Sequence, residues 1–65
     1  MNAFIKTTDG LHKIYRQGDD WQIVFPDGSE RWLSVWSDKV KASLIHALSV
    51  IPNADYADLQ IVKLS

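Results

Sequence analysis

No cysteine occurs anywhere in the 65 residues. Disulfides and thiolate metal sites are thereby excluded, and nothing points to an oxidising compartment. No apolar run approaches the roughly 20 residues that span a bilayer. The opening MNAFIKTTDG has neither the basic start nor the apolar stretch of a secretory signal. Excess charge of one sign is also missing, since seven Lys and Arg against eight Asp and Glu leave a net −1. Proteins that hold nucleic acid by neutralising phosphates ordinarily carry a basic surplus, so this balance argues against that class. The three glycines are isolated turn residues, so there is no phosphate-cradling loop. Repeats, linkers and low-complexity segments are absent too. These absences leave a single cytoplasmic domain over residues 1–65, with no membrane partner, as the expectation.

What is present is apolar and aromatic. Hydrophobic residues make up 46%, with three Trp, two Tyr and two Phe. That is ample for a folded core and argues against disorder. A chain this short buries only about 60% of its unfolded surface, so self-association would relieve a small core.

The stretch WQIVFPDGSERWLSVWS, Trp21 to Ser37, organises the rest. Two apolar runs flank Pro26-Asp27-Gly28. Proline presets φ for the first turn position, aspartate suits the second, and glycine accepts the left-handed φ that follows. A type I turn closed by a glycine bulge results. It sets Val24 against Glu30, Gln22 against Trp32 and Trp21 against Leu33. Before it, Ala3–Thr8 and Leu11–Arg16 are rich in β-branched and aromatic residues and flank Asp9-Gly10, a hairpin signal. That turn pairs Ile5 with Ile14 and Phe4 with Tyr15. Gln17–Asp20 forms the next loop, placing Ile14 opposite Ile23 and Tyr15 opposite Gln22.

Ser37 or Asp38 then caps a helix, where an acidic group suits the positive end of the dipole. Val40, Leu44, Ala47, Leu48 and Ile51 recur with helical period as its buried stripe, with Lys39, Ser43, His46 and Val50 opposite. Pro52 and Asn53 stop the helix, and Asp58–Leu64 is a last strand. The last strand can pair antiparallel with the first, in order 4-3-2-1-5, or parallel beside the fourth; the first is favoured because antiparallel pairs are commoner and the helix is long enough to cross the sheet. The fold class is α+β: a small two-layer domain, an antiparallel β-sheet (ββββ-α-β) with one helix packed on one face.

Strand alternation assigns the faces. Ile5, Ile14, Trp21, Ile23, Phe25, Leu33 and Val35 lie under the helix. The opposite face carries Phe4, Lys6, Lys13, Tyr15, Gln22, Val24, Trp32, Ser34 and Trp36. One helix cannot cover both sides, and an exposed apolar patch of this kind marks an interaction site. The partner-binding residues are therefore Phe4, Tyr15, Trp32 and Trp36, edged by Lys6 and Lys13. Their partner is another protein or a second copy of the chain, giving a homodimer.

Catalytic patterns are lacking. His12 and His46 have no metal-ligand spacing, His12 being read as a strand-edge or partner-contact residue and His46 as a solvated helix residue. Asp19-Asp20 and Asp27 are turn residues, and Asp55 and Asp58 are solvated loop charges. Serines 34, 37, 43 and 49 lie in no nucleophile elbow. The expectation is a non-enzyme without cofactor or metal.

Tyr15-Arg16, Trp21, Ile23, Gly28, Arg31-Trp32-Leu33 and Trp36-Ser37, followed by an alanine-containing helix, resemble the DNA-binding domain of plant ethylene-response factors. The arm-binding domains of tyrosine recombinases are similar. That resemblance implies a three-stranded sheet in the major groove, with Arg16, Arg31 and Trp32 as nucleic-acid-binding residues. Aromatic side chains on a sheet can also stack bases, with Lys6 and Lys13 on phosphates. In size and plan the chain is also similar to small phage-encoded inhibitors of host enzymes, which implies a protein target and suits the near-neutral charge. A third reading is a structural subunit that lends an edge strand to a larger assembly.

Overall fold

The structure is a computed structural model that describes residues 2–35 and 39–62. Its elements are β1 (Asn2–Thr7), β2 (Gly10–Gln17), β3 (Asp20–Val24), β4 (Glu30–Ser34), α1 (Val40–Leu48), a 3-10 turn (Tyr56–Asp58) and β5 (Gln60–Val62). The strands form one antiparallel sheet in the order β4-β3-β2-β1-β5, the order expected from the sequence.

Turn chemistry sets the β3–β4 register. The Gly28 amide donates to the Phe25 carbonyl at 2.9 Å, Phe25 N to Ser29 O at 2.8 Å, and Gly28 has φ +88°. This is the type I turn with a glycine bulge. Asp27 Oδ1 reinforces it by accepting from Ser29 N at 2.9 Å and Ser29 Oγ at 2.6 Å. The resulting pairs, Val24–Glu30, Gln22–Trp32 and Trp21–Leu33, are those the turn predicts. Between β2 and β3, Ile14 faces Ile23 and Tyr15 faces Gln22, also as expected, while pairing runs on to Gln17–Asp20.

The first hairpin differs. Ile5 pairs with His12, Phe4 with Lys13 and Ala3 with Ile14, two residues from the expected partners. The loop is Thr8-Asp9, with Thr7 Oγ1 accepting from Asp9 N at 3.1 Å, and Gly10 joins the strand opposite Thr7. Gly10 has φ +122°, and a Cβ there would sit 3.1 Å from both Cβ and Cγ of Pro26. Glycine thus lets the β3–β4 turn close against the start of β2. Because the slip is two residues, every side chain keeps its face.

The core is Ala3, Ile5, Ile14, Trp21 and Ile23 from the sheet, against Leu44, Ala47, Leu48 and Ile51 from α1 and the turn after it. Phe25, Leu33 and Val35 pack against it from the same sheet face, as expected. Leu44, Ala47, Leu48 and Ile51 of the expected stripe are buried, while Val40, the first residue of α1, is 48% exposed. Ser43, assigned to the outer side, is buried at the edge of the stripe. There it meets Trp21, whose buried indole Nε1 donates to Ser43 Oγ at 2.6 Å. A buried indole N–H needs an acceptor, and an aliphatic stripe offers none.

Ser37 and Asp38, the expected caps, lie outside the described residues. The residue at the N-cap position is Lys39, with no side-chain capping hydrogen bond. Past Pro52 the chain reverses through Asn53, at φ +62°. Asp55 is more than a solvated loop charge, since its Oδ1 accepts from Ala57 N at 3.0 Å and caps the 3-10 turn that contains Asp58. The last strand starts at Gln60 instead of the expected Asp58, and Lys63 and Leu64 lie outside the described residues.

Candidate docking face

Direct partners across an antiparallel sheet project to the same side. Following the pairs from β4 to β5, Trp32 stands beside Gln22, Gln22 beside Tyr15, and Tyr15 beside Asn2, which meets Val62. A second row runs Glu30, Val24, Lys13, Phe4 and Gln60. Lys6 and Leu11 form a third, shorter row. None of these residues faces α1, which packs on the opposite side of the sheet.

Four large apolar side chains of this face are open to solvent: Phe4 at 37%, Val62 at 41%, Leu11 at 43% and Trp32 at 50%. Tyr15 and Val24 are half-buried between them. Lys6 opposes Leu11 and Lys13 opposes Phe4, so charged heads alternate with apolar groups. Two shallow depressions share Leu11 and Lys13. One, about 230 Å³, is floored by Phe4, Tyr15 and Val62, and the other, about 450 Å³, runs past Val24 to Pro26.

Trp32 is held in place by polar groups. Its indole Nε1 donates to Glu30 Oε1 at 3.1 Å, Gln22 Nε2 donates to Glu30 Oε2 at 3.0 Å, and Gln17 Nε2 donates to Gln22 Oε1 at 3.3 Å. The donors from Trp32 and then Gln22 stabilise the ionised carboxylate and lower the Glu30 pKa from its ordinary 4.5. A large ring fixed before a partner arrives has less entropy to lose on binding.

Of the residues expected to bind a partner, Phe4, Lys6, Lys13, Tyr15 and Trp32 share this face, and Trp36 lies outside the described residues. Leu11 was missed, although alternation with Lys13 and Tyr15 carries its signal. Val62 depended on a register the sequence does not fix, and Glu30 on a contact two residues along its own strand.

The residues expected to contact nucleic acid do not come together. Arg16 pairs with Trp21 and Arg31 with Ile23, so both project to the helix side, away from Trp32. Arg16 stacks over the Trp21 ring at 5.7 Å and donates from Nε to Gly18 O at 2.6 Å.

His12 also departs from expectation. Instead of lining an edge or a partner surface, it is 1% exposed on the helix side of the central strand β2. Its ring packs edge-to-face on Phe25, centroids 5.4 Å apart. Among the described residues no group of three or more His, Cys, Asp or Glu could hold a metal ion, and no helix is long and apolar enough to cross a membrane.

Set beside protein family models, characterised proteins and solved structures, the chain matches none of them.

Proposed function

We propose that this chain is a non-enzymatic protein-binding domain that docks a larger protein through the open face of its sheet. One observation carries the reading: Phe4, Leu11, Trp32 and Val62 stand 37–50% exposed on a single sheet face that α1 does not cover. Trp and Tyr in such settings are the usual anchors of interfaces, and here Trp32 is already fixed by Glu30. Lys6 and Lys13 beside the apolar groups favour a partner surface that is apolar with carboxylates at its rim. A cysteine-free chain suits a reducing cytoplasm, where a domain of this size could act as an inhibitor or accessory of a host protein.

The test uses wild-type and Trp32→Ala baits side by side, in lysate with and without nuclease. The reading expects a stoichiometric protein held by wild type in both lysates and lost from a Trp32→Ala bait that keeps its wild-type circular dichroism. Equal retention by both baits, or retention that vanishes with nuclease, would overturn it. Self-association as the alternative occupant is read by sedimentation of the isolated chain.

A further inference from the structure

Along the outer edge of β4, backbone hydrogen bonding is left incomplete. β4 ends the sheet, and among the described residues no strand lies beyond it. Its ladder with β3 is flanked by Phe25 N donating to Ser29 O and Val35 N donating to Asp19 O, both at 2.8 Å. Hydrogen-bonded and non-hydrogen-bonded pairs alternate in such a ladder, so Arg31 and Leu33 bond inward to Ile23 and Trp21. The N–H and C=O groups of Glu30, Trp32 and Ser34 therefore point outward, away from β3. All three residues are exposed. A bare edge is a template for another chain, and proteins ordinarily blunt it with Pro, Lys or a bulge. The strand ERWLS has none of these across its five residues. At the other end of the sheet, β5 offers only the three residues Gln60–Val62.

The side chains along β4 select the occupant. Two such strands laid antiparallel about a two-fold axis at Trp32 pair every residue of the strand. Trp32 then meets its own counterpart, Glu30 meets Ser34, and Arg31 meets Leu33. No like charges oppose one another. The aromatic pair and the carboxylate–hydroxyl pairs fall on the open face, and pairs of these kinds stabilise neighbouring strands. Other registers are worse. An axis at Arg31 opposes two guanidiniums, and one at Glu30 opposes two carboxylates. An axis at Leu33 or Ser34 leaves the first residues of β4 without a partner in the strand.

We propose that the chain forms a two-fold dimer in which the β4 edges of two copies pair antiparallel about Trp32. The contact is isologous and joins both sheets into one. Phe4, Leu11 and Val62 lie on other strands and stay uncovered, so the dimer doubles the open face instead of occupying it.

The experiment follows the full chain by sedimentation equilibrium and amide hydrogen exchange, from about 10 µM to about 1 mM. A reversible dimer should form, and the Trp32 and Ser34 amides should gain protection in step with its population. The Arg31 and Leu33 amides, bonded to β3, should be protected at every concentration. Ser34→Pro removes an outward N–H without touching the bonds to β3, so it should abolish the dimer and keep the wild-type circular dichroism. Ser34→Lys sets an ammonium opposite Glu30 and should tighten the dimer about threefold or more. Ser34→Glu opposes two carboxylates and should weaken it by about as much. If Ser34→Pro does not fold, the Lys and Glu variants decide. A monomer at every concentration would overturn the proposal, as would a folded Ser34→Pro that still dimerises. So would equal dimer affinity in the Lys and Glu variants, or a dimer in which the Trp32 and Ser34 amides gain no protection, which is a dimer held by the open face.

Discussion

Trp21 and Trp32 are the same residue type on neighbouring strands of one sheet, and they do opposite things. Trp21 is 1% exposed and Trp32 is 50% exposed. Both indoles have an acceptor, Ser43 Oγ at 2.6 Å for Trp21 and Glu30 Oε1 at 3.1 Å for Trp32. The difference lies in where the acceptor comes from. Ser43 is on the helix, so its hydrogen bond ties two layers together across the core. Glu30 lies two residues away on the same strand and is itself held by Gln22 of β3, so its hydrogen bond orients a ring within the sheet without tying it to the helix layer. Residue type alone therefore says little about role here; strand parity and the partner of the N–H decide it.

The sharpest way to break this comparison is to delete both rings. Trp21→Ala should cost about 3–5 kcal/mol, the range for large core aromatics, and in a 65-residue domain that approaches or exceeds the whole stability. Trp32→Ala should cost less than about 1 kcal/mol while abolishing partner retention. Urea denaturation followed by circular dichroism measures both. Comparable losses of stability would mean that Trp32 is as much a part of the core as Trp21.

Ser43→Ala isolates the interlayer hydrogen bond. The indole N–H of Trp21 is left buried without an acceptor, which should cost about 1–3 kcal/mol. A change near zero in the same denaturation assay would show that the indole finds another acceptor, and that this hydrogen bond does not hold the two layers together.

Leu11 and His12 repeat the contrast in adjacent residues, 43% and 1% exposed. Leu11→Ser should alter stability by no more than about 0.5 kcal/mol. Its expected effect is on docking, as several-fold weaker partner retention with an unchanged melting temperature. A lowered melting temperature would place Leu11 in the structural layer.

How much of this was legible in the sequence depends on where local chemistry alone decides. The turn at Pro26-Asp27-Gly28 fixes its register through residues within the turn, and the expected pairs are those observed. The first hairpin was displaced by two residues because Gly10 is used for close approach to Pro26, a contact between turns that are far apart in sequence. Faces survived because an even slip preserves parity. On the helix, periodicity gives Leu44, Ala47, Leu48 and Ile51, all buried, whereas Ser43 joins them because a buried indole donor takes its hydroxyl as acceptor, which hydropathy does not register. His12 shares parity with Ile14, so strand alternation itself places it inward, on the helix side. Of the candidate docking face, Phe4, Tyr15 and Trp32 were legible from alternation, while Val62 and Glu30 needed tertiary contacts to be seen.

The smallest expected effect concerns pH. The Trp32 indole and Gln22 amide lower the Glu30 pKa from 4.5, and the Ser29 hydroxyl and amide lower that of Asp27 from 3.8. A carboxyl with a depressed folded-state pKa stabilises the fold fully above its unfolded value and loses that contribution as pH falls through the folded value. Both contributions should therefore be intact at neutral pH and fade only in acid, below about 4.5 for Glu30. At that point the Trp32 indole N–H signal should move with pH, while the Trp21 signal, bonded to a hydroxyl that does not titrate there, stays still. Glu30→Gln provides the control, because an amide oxygen still accepts from the indole but cannot titrate. Its Trp32 signal should lose the acid-dependent movement and keep the ring in place. If Trp21 and Trp32 titrate together in the wild type, the movement reports global acid unfolding, and Trp32 has no local switch of its own.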